Sequence, residues 1–389
     1  MPTLPFTILQ VVPRLGAGGA ERTTLEMARA IVSAGGRALV GTASGRLAVD
    51  IERAGGEIIT LPVHRRDPVS ILRAAGMLGR LIEKESVDLV HARSRAPAWS
   101  AGLAARRAGR PFVTTFHGIH PATSPFKRWY NSGLVRSDIV IANSRFTAER
   151  IATNYGVAGS KVRVIPRGAD LNTLNPNANI AGRVNRLVEN WGLENADPGV
   201  KFLLPARLTP WKGQMVAVEA VSLLKSKLNA GKLPGLTLVL CGGVQGNRDY
   251  EAALRAKIDE RGVRDMVHMV GETADMPAAY CWADIVLAPS VRAEPFGRTA
   301  VEAGAMGKPV VASNHGGALE TVVDRETGLF AKPGDAQELA DAMVQLACDG
   351  ALREKLGQQG QARVRALYSS AVMCDATLSV YRELLGNRA

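Results

Sequence analysis

Long apolar runs are missing from this sequence of 389 residues, and cysteines are few. No stretch approaches the roughly 20 apolar residues that a membrane-spanning helix requires. The first residues, MPTLPFTILQVVPRLG, carry no basic segment and no cleavage site, so they predict a strand and not a signal peptide. The cysteines form neither a metal motif nor a disulfide framework, because they lie far apart at Cys241, Cys281, Cys348 and Cys374. Such spacing is typical of a reducing compartment, and we expect a cytoplasmic protein.

Acidic residues are scarce in the first half of the chain. Residues 1–170 contain 24 Lys and Arg against 12 Asp and Glu, whereas residues 171–389 contain 24 of each class. This excess predicts an acidic partner for the first half, such as an anionic membrane or a phosphorylated glycolipid, unless it only solubilises the protein. Nucleic acid is not expected, because no known nucleic-acid-binding motif is present and only 5% of the residues are aromatic.

Strand and helix patterns alternate along most of the sequence. Its 46% hydrophobic and 22% charged content is typical of a globular protein, and its length allows two α/β domains. Apolar strands recur from Phe6–Val12 to Val162–Ile165, and again from Phe202–Arg207 to Pro309–Ala312, with helical patterns between most of them. The alternation predicts two doubly wound parallel sheets, joined by a polar crossover at Arg167–Asn179.

Two glutamates flank a predicted helix start in the second half. The residues between Asp284 and Gly317 read DIVLAPS, VRAEPFGRTAVEAGAMGK, PVVAS and NHGG, which predicts strand, loop, short helix, strand and glycine loop. The helix begins near Phe296–Thr299, and a helix start offers backbone N–H groups and a positive dipole end to an anion. Glu294 and Glu302 then stand on either side of that anion, free to accept sugar hydroxyls. Two ordinary surface glutamates are the alternative.

Two cations follow the predicted strand FLLPAR. Arg207 and Lys212 stand in the sequence Arg-Leu-Thr-Pro-Trp-Lys-Gly, where Thr209 and Pro210 suit the N-cap and the first position of a helix. The two cations therefore flank a predicted helix start. Such a pair suits a diphosphate whose negative charge grows as a bond to it breaks.

The first half offers a glycine loop and strand-end histidines. Gly16–Gly19 fails the dinucleotide fingerprint, because the third glycine would fall at Glu21 and no acidic residue ends the second strand. The loop is therefore either a plain tight turn or a place where the backbone approaches a ligand closely. His117 ends the strand PFVTTFH, at the sheet edge where α/β proteins bind ligands. His91 also ends a strand and His120 is nearby, so position alone does not choose among the three.

An aromatic and basic segment, SPFKRWYNSGLVR, follows His117. It could lie at a membrane interface, or it could be an ordinary helix with its aromatic side chains in the core. Arg65-Arg66 and Arg106-Arg107 would extend its basic face only if the fold brings them to it. The residues in question are Phe126, Lys127, Arg128, Trp129, Tyr130 and Arg136.

EPFGRTAVE followed by AMGKPVVAS resembles the E-x7-E signature of the GT-B, family 4 (retaining) glycosyltransferases of the group 1 type. RLxxxKG, VTTFHG and GGAER resemble further motifs of that family. The resemblance implies two Rossmann-like domains facing across a cleft: residues 1–170 for the acceptor and residues 171–369 for the nucleotide sugar. It also implies that the helix within residues 370–389 packs back on the first domain. GGALE stands in place of the common GG-x-P-E, and RGAD in place of NG-x-D. Because of these departures, the motifs do not assign the chain to a subfamily.

The same resemblance implies roles for individual residues. Glu294 would contact the transferred sugar, Glu302 the ribose, and Arg207 with Lys212 the donor phosphates. The implied catalytic residues are His117, Glu294, Arg207 and Lys212. The implied donor-binding residues are Gly18, Gly19, Met269, Val270, Phe296, Gly297, Arg298, Thr299 and Glu302, with the backbone around Met269 and Val270 reading the base.

The implied reaction is the retaining transfer of a hexose from a nucleotide sugar, a UDP-sugar in preference to a GDP-sugar. No Asp-x-Asp motif stands at a strand end, so neither a metal nor another cofactor is expected. The expected acceptor is an envelope glycan or glycolipid, lipopolysaccharide core first, at the inner face of the cytoplasmic membrane. The alternatives are a GT-B enzyme of other chemistry, such as a nucleotide-sugar epimerase or a phosphorylase, and an inactive nucleotide-sugar-binding partner.

Overall fold

The computed structural model describes residues 6–16, 18–118, 124–176, 180–197, 199–231 and 233–386. The chain divides into two compact units. The first contains the chain up to Gly168 and again from Ser370, and the second contains Ala169–Ser369. In the described part of the chain, each unit is a parallel sheet with helices on both faces.

The first unit has a seven-stranded sheet in its described residues, in the order β3-β2-β1-β4-β5-β6-β7. Its strands are β1 (Thr7–Val11), β2 (Arg37–Thr42), β3 (Glu57–Thr60), β4 (Leu89–Ala92), β5 (Phe112–Phe116), β6 (Ile139–Ala142) and β7 (Val162–Val164). Its helices are α1 (Gly19–Ser33), α2 (Ala48–Arg53), α3 (Pro68–Lys84), α4 (Arg95–Arg107), α5 (Pro125–Asn131) and α6 (Arg145–Tyr155).

The second unit has a six-stranded sheet in its described residues, in the order β10-β9-β8-β11-β12-β13. The strands are β8 (Val200–Pro205), β9 (Leu236–Cys241), β10 (Val267–Gly271), β11 (Ile285–Ala288), β12 (Val310–Ser313) and β13 (Gly328–Ala331). The helices are α7 (Ala181–Trp191), α8 (Gln214–Asn229), α9 (Arg248–Glu260), α10 (Met276–Trp282), α11 (Arg298–Ala305), α12 (Ala318–Thr321), α13 (Ala336–Cys348) and α14 (Gly350–Leu367). The chain then returns to the first unit as α15 (Ser370–Gly386).

Most strand residues are apolar because both faces of each sheet are covered. In β8, Phe202 and Leu204 enter the core beneath α8 and α13, while Leu203 between them enters the core beneath α7, α10 and α11. Alternate residues of a strand point to opposite faces, so a strand buried on both sides is apolar at most of its positions. This is why the short strand patterns were recognisable in the sequence.

The strand order of each sheet reverses at one point, between β1 and β4 in the first unit and between β8 and β11 in the second. At such a point the loops that follow the two neighbouring strands diverge to opposite faces and leave a crevice at their carboxyl ends. In the second unit these are the loops at residues 206–213 and 289–297, which contain the predicted cations and the first predicted glutamate.

A buried polar cluster fastens α15 to the first sheet. Tyr381 is fully buried, and its hydroxyl lies 2.6 Å from Nδ1 of His91 on β4. The other ring nitrogen of His91 lies 2.7 Å from the hydroxyl of Thr115 on β5. His91 therefore belongs to the core, whereas His117 is half-buried at the end of β5. His120 lies outside the described residues.

His91 is expected to make the first unit less stable as the pH falls below about 6.5. Burial, assisted by the nearby Arg93 guanidinium, holds the pKa of His91 well below its ordinary value. The unfolded chain therefore binds a proton that the folded chain excludes, and stability falls by up to about 1.4 kcal/mol per pH unit. Urea unfolding between pH 7.5 and 5.5 should show this slope in the wild type and a shallower one in His91→Gln. Parallel curves for the two proteins would contradict the assignment.

Candidate active site

The candidate site lies where β8 and β11 end side by side in the second unit. The loop after β8 contains Trp211 and Lys212, and the loop after β11 contains Ser290 and Val291. The N–H of Val291 donates to the carbonyl of Trp211 at 2.8 Å, which ties the two loops together. Because β9 and β10 lie on the far side of β8, only the sheet order brings these two loops together.

Lys212 and Glu294 form an ion pair across the two loops. Nζ of Lys212 donates to Oε1 of Glu294 at 2.7 Å, and each side chain is only 13% exposed. The hydroxyl of Ser290 donates to the same oxygen, and the ammonium group lies 4.4 Å from the centre of the Trp211 ring. Within the described residues, Oε2 of Glu294 accepts no hydrogen bond. A ligand hydroxyl can therefore donate to that oxygen without displacing a protein group.

The NHGG turn after β12 supports the backbone of the Glu294 loop. The N–H of Gly317 donates to the carbonyl of Glu294 at 2.8 Å, and a Cβ at Gly317 would lie only 2.4 Å from Cα of Phe296. Nε2 of His315 lies 2.8 Å from the carbonyl of Ser290, so this nitrogen carries the hydrogen. The close approach of two backbones at Gly317 leaves no room for a side chain there.

The helix α11 begins beside Glu294, as predicted. Its N-cap is Gly297, with a left-handed backbone at φ +81° and no side-chain cap. The start of the helix and the acid share a small pocket, whereas Phe296 is buried with its ring 5.8 Å from that of Tyr368. The polar residues and glycine that line the pocket are Ser290, Glu294, Gly297, Thr299, Ser313 and His315.

Glu302 lies one turn inside α11, where two side chains hold its carboxylate. Nε of Arg298 donates to Oε1 at 2.6 Å, and the hydroxyl of Tyr280 on α10 donates to Oε2 at 2.8 Å. Burial, and then the adjacent carboxylate, raises the pKa of Tyr280 well above its ordinary range, so the phenol stays protonated and donates. Glu302 does not line the pocket that contains Glu294.

Arg207 shares a loop with Lys212 but contacts neither acid. Its side chain is exposed, and Nη1 donates to Oε1 of Gln245 at 3.1 Å. The buried Gln214 side chain fixes the backbone here, since its Nε2 donates to the carbonyl of Arg207 at 2.9 Å. The structure therefore orders this part of the loop but leaves the guanidinium at the surface.

A helical turn begins at Pro210 after Thr209, as predicted, but it is a 3-10 turn and not the start of α8. Pro210–Lys212 forms a short 3-10 turn, the Thr209 side chain makes no cap, and α8 begins only at Gln214. Gly213 separates the two elements because its left-handed backbone, at φ +80°, interrupts the helix. Arg207 and Lys212 thus flank a tight turn that leads to the main helix.

Met269 and Val270 lie on β10, the edge strand of the second sheet. Both are half-buried, Met269 against the α8 core and Val270 against the α7 and α10 core. Val270 lines a separate pocket of about 450 Å³, together with residues of α7 and of the loop that leads to α10. The structure therefore does not bring these two residues into the pocket of Glu294.

The remaining predicted site residues belong to the first unit. Gly18 is the N-cap of α1 and Gly19 is its first residue, and the Glu21 carboxylate folds over Gly18. The carbonyl of His117 accepts a hydrogen bond from Nδ2 of Asn143 at 3.2 Å. The roles assigned to these residues, as to those of the second unit, stay predictions.

Sequence reasoning missed three residues that shape the site. Ser290 could have been found, because it ends the strand DIVLAPS at the ligand-binding edge of the sheet. His315 stands in the NHGG turn, which was singled out only for its backbone. Tyr280 lies in MPAAYCW, outside any motif, and only the packing of α10 beside α11 shows its contact with Glu302.

Metal-ligating side chains do not gather in the described part of the chain: no three of its His, Cys, Asp or Glu residues form a plausible cation site. All four cysteines are free thiols. None of the described helices combines the length and the apolar character that membrane crossing requires.

Two family models match the chain in succession. The model described as Glycosyltransferase Family 4 matches residues 17–173, and the one described as Glycosyl transferases group 1 matches residues 186–363. Together they cover most of both units.

Two curated relatives are similar in sequence. The D-inositol 3-phosphate glycosyltransferase of Jonesia denitrificans is 32% identical over 284 residues, which are 69% of this chain and 65% of that protein, just under two thirds of its length. The GDP-mannose-dependent alpha-(1-6)-phosphatidylinositol monomannoside mannosyltransferase of Mycolicibacterium smegmatis is 29% identical over 79% of each chain.

Two solved structures are similar over nearly their whole length. A glycosyltransferase from Rickettsia africae has a TM-score of 0.88 and 31% identity, covering 98% of this chain and 99% of its own. HepE from Anabaena, solved in complex with UDP, has a TM-score of 0.82 and 26% identity, covering 97% and 100%. The predicted fold class is confirmed, since these neighbours are two-domain GT-B enzymes. The chain belongs to the GT-B glycosyltransferases of family 4, group 1.

Proposed function

We propose that this protein transfers a hexose, with retention of the anomeric configuration, from a UDP-sugar to a hydroxyl of a phosphate-bearing polyol or glycolipid. The observation that carries the proposal is the Lys212–Glu294 pair beside the start of α11. The pair joins a cation to an acid with an unused oxygen, and the acid shares one small pocket with the start of α11. In a sugar diphosphate, the phosphates carry the negative charge that suits the cation and the helix start, and the adjoining sugar carries hydroxyls that can donate to the acid.

The chemistry follows from the charges at this pocket. Lys212 and the start of α11 stabilise the negative charge that grows on the departing nucleoside diphosphate. Glu294 accepts a hydroxyl of the sugar and orients it, and Glu302 takes the ribose hydroxyls. The acceptor hydroxyl attacks the anomeric carbon of the sugar from the face that the diphosphate leaves. The departing diphosphate takes the proton of that hydroxyl. No metal ion is needed in this scheme, because Lys212 and the helix start supply the positive charge.

Uracil is proposed as the base, near Met269 and Val270. The support is HepE, whose structure contains UDP and which is similar to this chain over nearly all its length. The mannosyltransferase of M. smegmatis uses GDP-mannose by its name, so GDP-sugars are the comparison that the assay must include.

A phosphorylated acceptor is proposed from the charge of the first unit. That unit carries 26 Lys and Arg against 13 Asp and Glu, whereas the second carries 22 against 23. By their names, the curated relatives act on inositol 3-phosphate and on a phosphatidylinositol mannoside, which are both phosphate-bearing polyols. Lipopolysaccharide core is a further acceptor of the same kind, and a glycolipid acceptor would bring the protein to an anionic membrane surface.

A two-step experiment tests this function. Thermal melts with UDP-glucose, UDP-galactose and GDP-mannose identify the donor, because at one concentration the ligand with the lowest Kd for the folded protein raises the apparent stability most. The donor is then incubated with inositol 3-phosphate, phosphatidylinositol vesicles or lipopolysaccharide core, and NMR gives the configuration of the product. Sugar transfer with inversion, or sugar release that depends on inorganic phosphate, would overturn the proposal.

Tyr280→Phe is expected to weaken nucleotide binding by about one to two orders of magnitude, since loss of a hydrogen bond to a charged group costs about 1.5–3 kcal/mol. Without the phenol hydroxyl, the Glu302 carboxylate is free to turn towards Arg298 and pair with it through both oxygens. The KM for the donor should therefore rise while kcat changes little. Tyr381→Phe is the control, because it removes the hydroxyl of a fully buried tyrosine in the other unit. A fall in kcat at unchanged KM would contradict this role.

A further inference from the structure

The aromatic residues of α5 are at the surface of the first unit. Phe126 is 72% exposed and Trp129 is 52% exposed, so the interpretation that places them in the core fails for both. Their ring centres are 6.0 Å apart, and Trp129 stacks at 4.7 Å on Trp99 of the neighbouring helix α4. Large exposed aromatic rings that contact each other are typical of surfaces that meet a partner.

Arginines continue this row of aromatic rings. The guanidinium of Arg136 lies 5.0 Å from the centre of the Trp99 ring, and Arg106 stands two turns along α4 from Trp99. Arg106, Arg110 and Arg136 together line a surface pocket of about 210 Å³. Apolar rings thus lead directly to a cluster of three positive charges.

These arginines are only lightly neutralised. Arg106 makes no hydrogen bond or ion pair through its side chain within the described residues, and Nε of Arg136 donates to the hydroxyl of Ser132 at 3.2 Å. Nη1 of Arg110 lies 3.8 Å from the Asp88 carboxylate, a loose contact. The one carboxylate that lines the pocket, Asp138, accepts the N–H of Phe112 at 2.8 Å. Three cations against one engaged acid leave a site for an anion.

The basic character extends to the other side of α5. The Arg95 guanidinium lies 5.7 Å from the centre of the Tyr130 ring, and burial raises the pKa of Tyr130 while Arg95 and Arg66 oppose the shift. Arg66 is exposed and lies two residues before α3. Lys127 and Arg128 of α5 are exposed between the rings.

We infer that Arg106, Arg110 and Arg136 bind the phosphate of an anionic phospholipid headgroup while Trp129 and Phe126 enter the interfacial layer of the membrane. Guanidinium groups match phosphate oxygens in a bidentate way, and aromatic side chains favour the region between headgroups and acyl chains. A soluble phosphate ester would bind the arginines but would leave the exposed aromatic rings without a contact. The inference rests on the proposed glycolipid acceptor, because only a membrane-borne acceptor requires this surface.

Vesicle sedimentation tests the site. Phosphatidylcholine vesicles are prepared alone, with phosphatidylglycerol, and with oleate at the same surface charge, so that only one anionic set offers an extra phosphate. The wild type should prefer phosphatidylglycerol vesicles to both others. Arg106→Ala with Arg136→Ala should lower the partition coefficient at least tenfold, and so should Phe126→Ser with Trp129→Ser.

The matched control is Arg29→Ala with Arg53→Ala, which removes two exposed arginines from other helices of the same unit. An equal loss of binding in this control would show diffuse charge attraction and overturn the inference, as would equal binding to oleate and phosphatidylglycerol vesicles. Binding of inorganic phosphate that depends on Arg106, without binding to vesicles, would also overturn the lipid assignment. If the Arg106→Ala, Arg136→Ala double variant fails to fold, Arg106→Ala alone replaces it in the vesicle assay.

Transfer assays separate this inference from the proposed function. With inositol 3-phosphate as a soluble acceptor, the Arg106 and Arg136 variants should transfer sugar at the wild-type rate. Transfer without arginine-dependent vesicle binding would overturn the lipid site alone. Arginine-dependent vesicle binding without transfer to any acceptor would overturn the proposed function alone.

Discussion

Glu294→Gln is expected to lower kcat/KM for sugar transfer by about two to three orders of magnitude and to leave the protein folded. The amide has the shape of the carboxylate but not its charge, so the variant loses the ion pair with Lys212 at 2.7 Å. The sugar hydroxyl then loses the charged oxygen to which it donates a hydrogen bond. The Lys212 side chain is also no longer held beside the donor phosphates. Steady-state kinetics with the identified donor measure the loss, and circular dichroism verifies the fold.

Two companion variants make this result specific. Glu326→Gln changes an exposed glutamate of the same unit and should transfer sugar normally. Lys212→Met should be nearly as inactive as Glu294→Gln, and the double variant should be little worse than either, because the partners of one ion pair do not act additively. Wild-type turnover in Glu294→Gln, or fully additive losses, would contradict the assignment.

Gly213→Ala is expected to lower the free energy of unfolding of the second unit by about 3 kcal/mol or more, because a strained backbone and a steric clash combine. The backbone has φ +80°, and an added Cβ would lie 1.9 Å from the carbonyl oxygen of Pro289, which cannot move aside like a flexible side chain. Relief of this clash would push the two loops apart and so separate Lys212 from Glu294. Urea unfolding gives the loss of stability, and the transfer assay should show an accompanying loss of activity.

Gly192→Ala is the matched control for strain alone. Gly192 follows α7 in the same unit with φ +66°, and an added Cβ would meet nothing within 4 Å. This variant should cost only about 1–2 kcal/mol, the usual penalty for a side chain in the left-handed region. Equal costs at the two positions would show that the contact with Pro289 relaxes freely, and the predicted clash would then be wrong.

The elements of this fold were largely predictable because they depend on local patterns. A strand buried on both faces is apolar at nearly every position, as β8 and β11 are, and a glycine marks the start of α11 at Gly297. The acidic and basic motifs were also visible, since each occupies one short stretch of chain. Local patterns fail at Thr209, where a suitable N-cap residue precedes a 3-10 turn, because Gly213 interrupts the helix four residues later.

The partners of these elements depend on the order of strands in the sheet. Lys212 meets Glu294 across 82 residues of sequence because β8 pairs with β11, and no local pattern specifies that pairing. Likewise, only packing places Tyr280 on Glu302 and places His91 in the core under α15. The residue types for this chemistry were thus readable from the sequence, because short-range periodicity and spacing encode them. Their contacts were decided by the tertiary fold, because long-range burial selects which loops share one edge of a sheet.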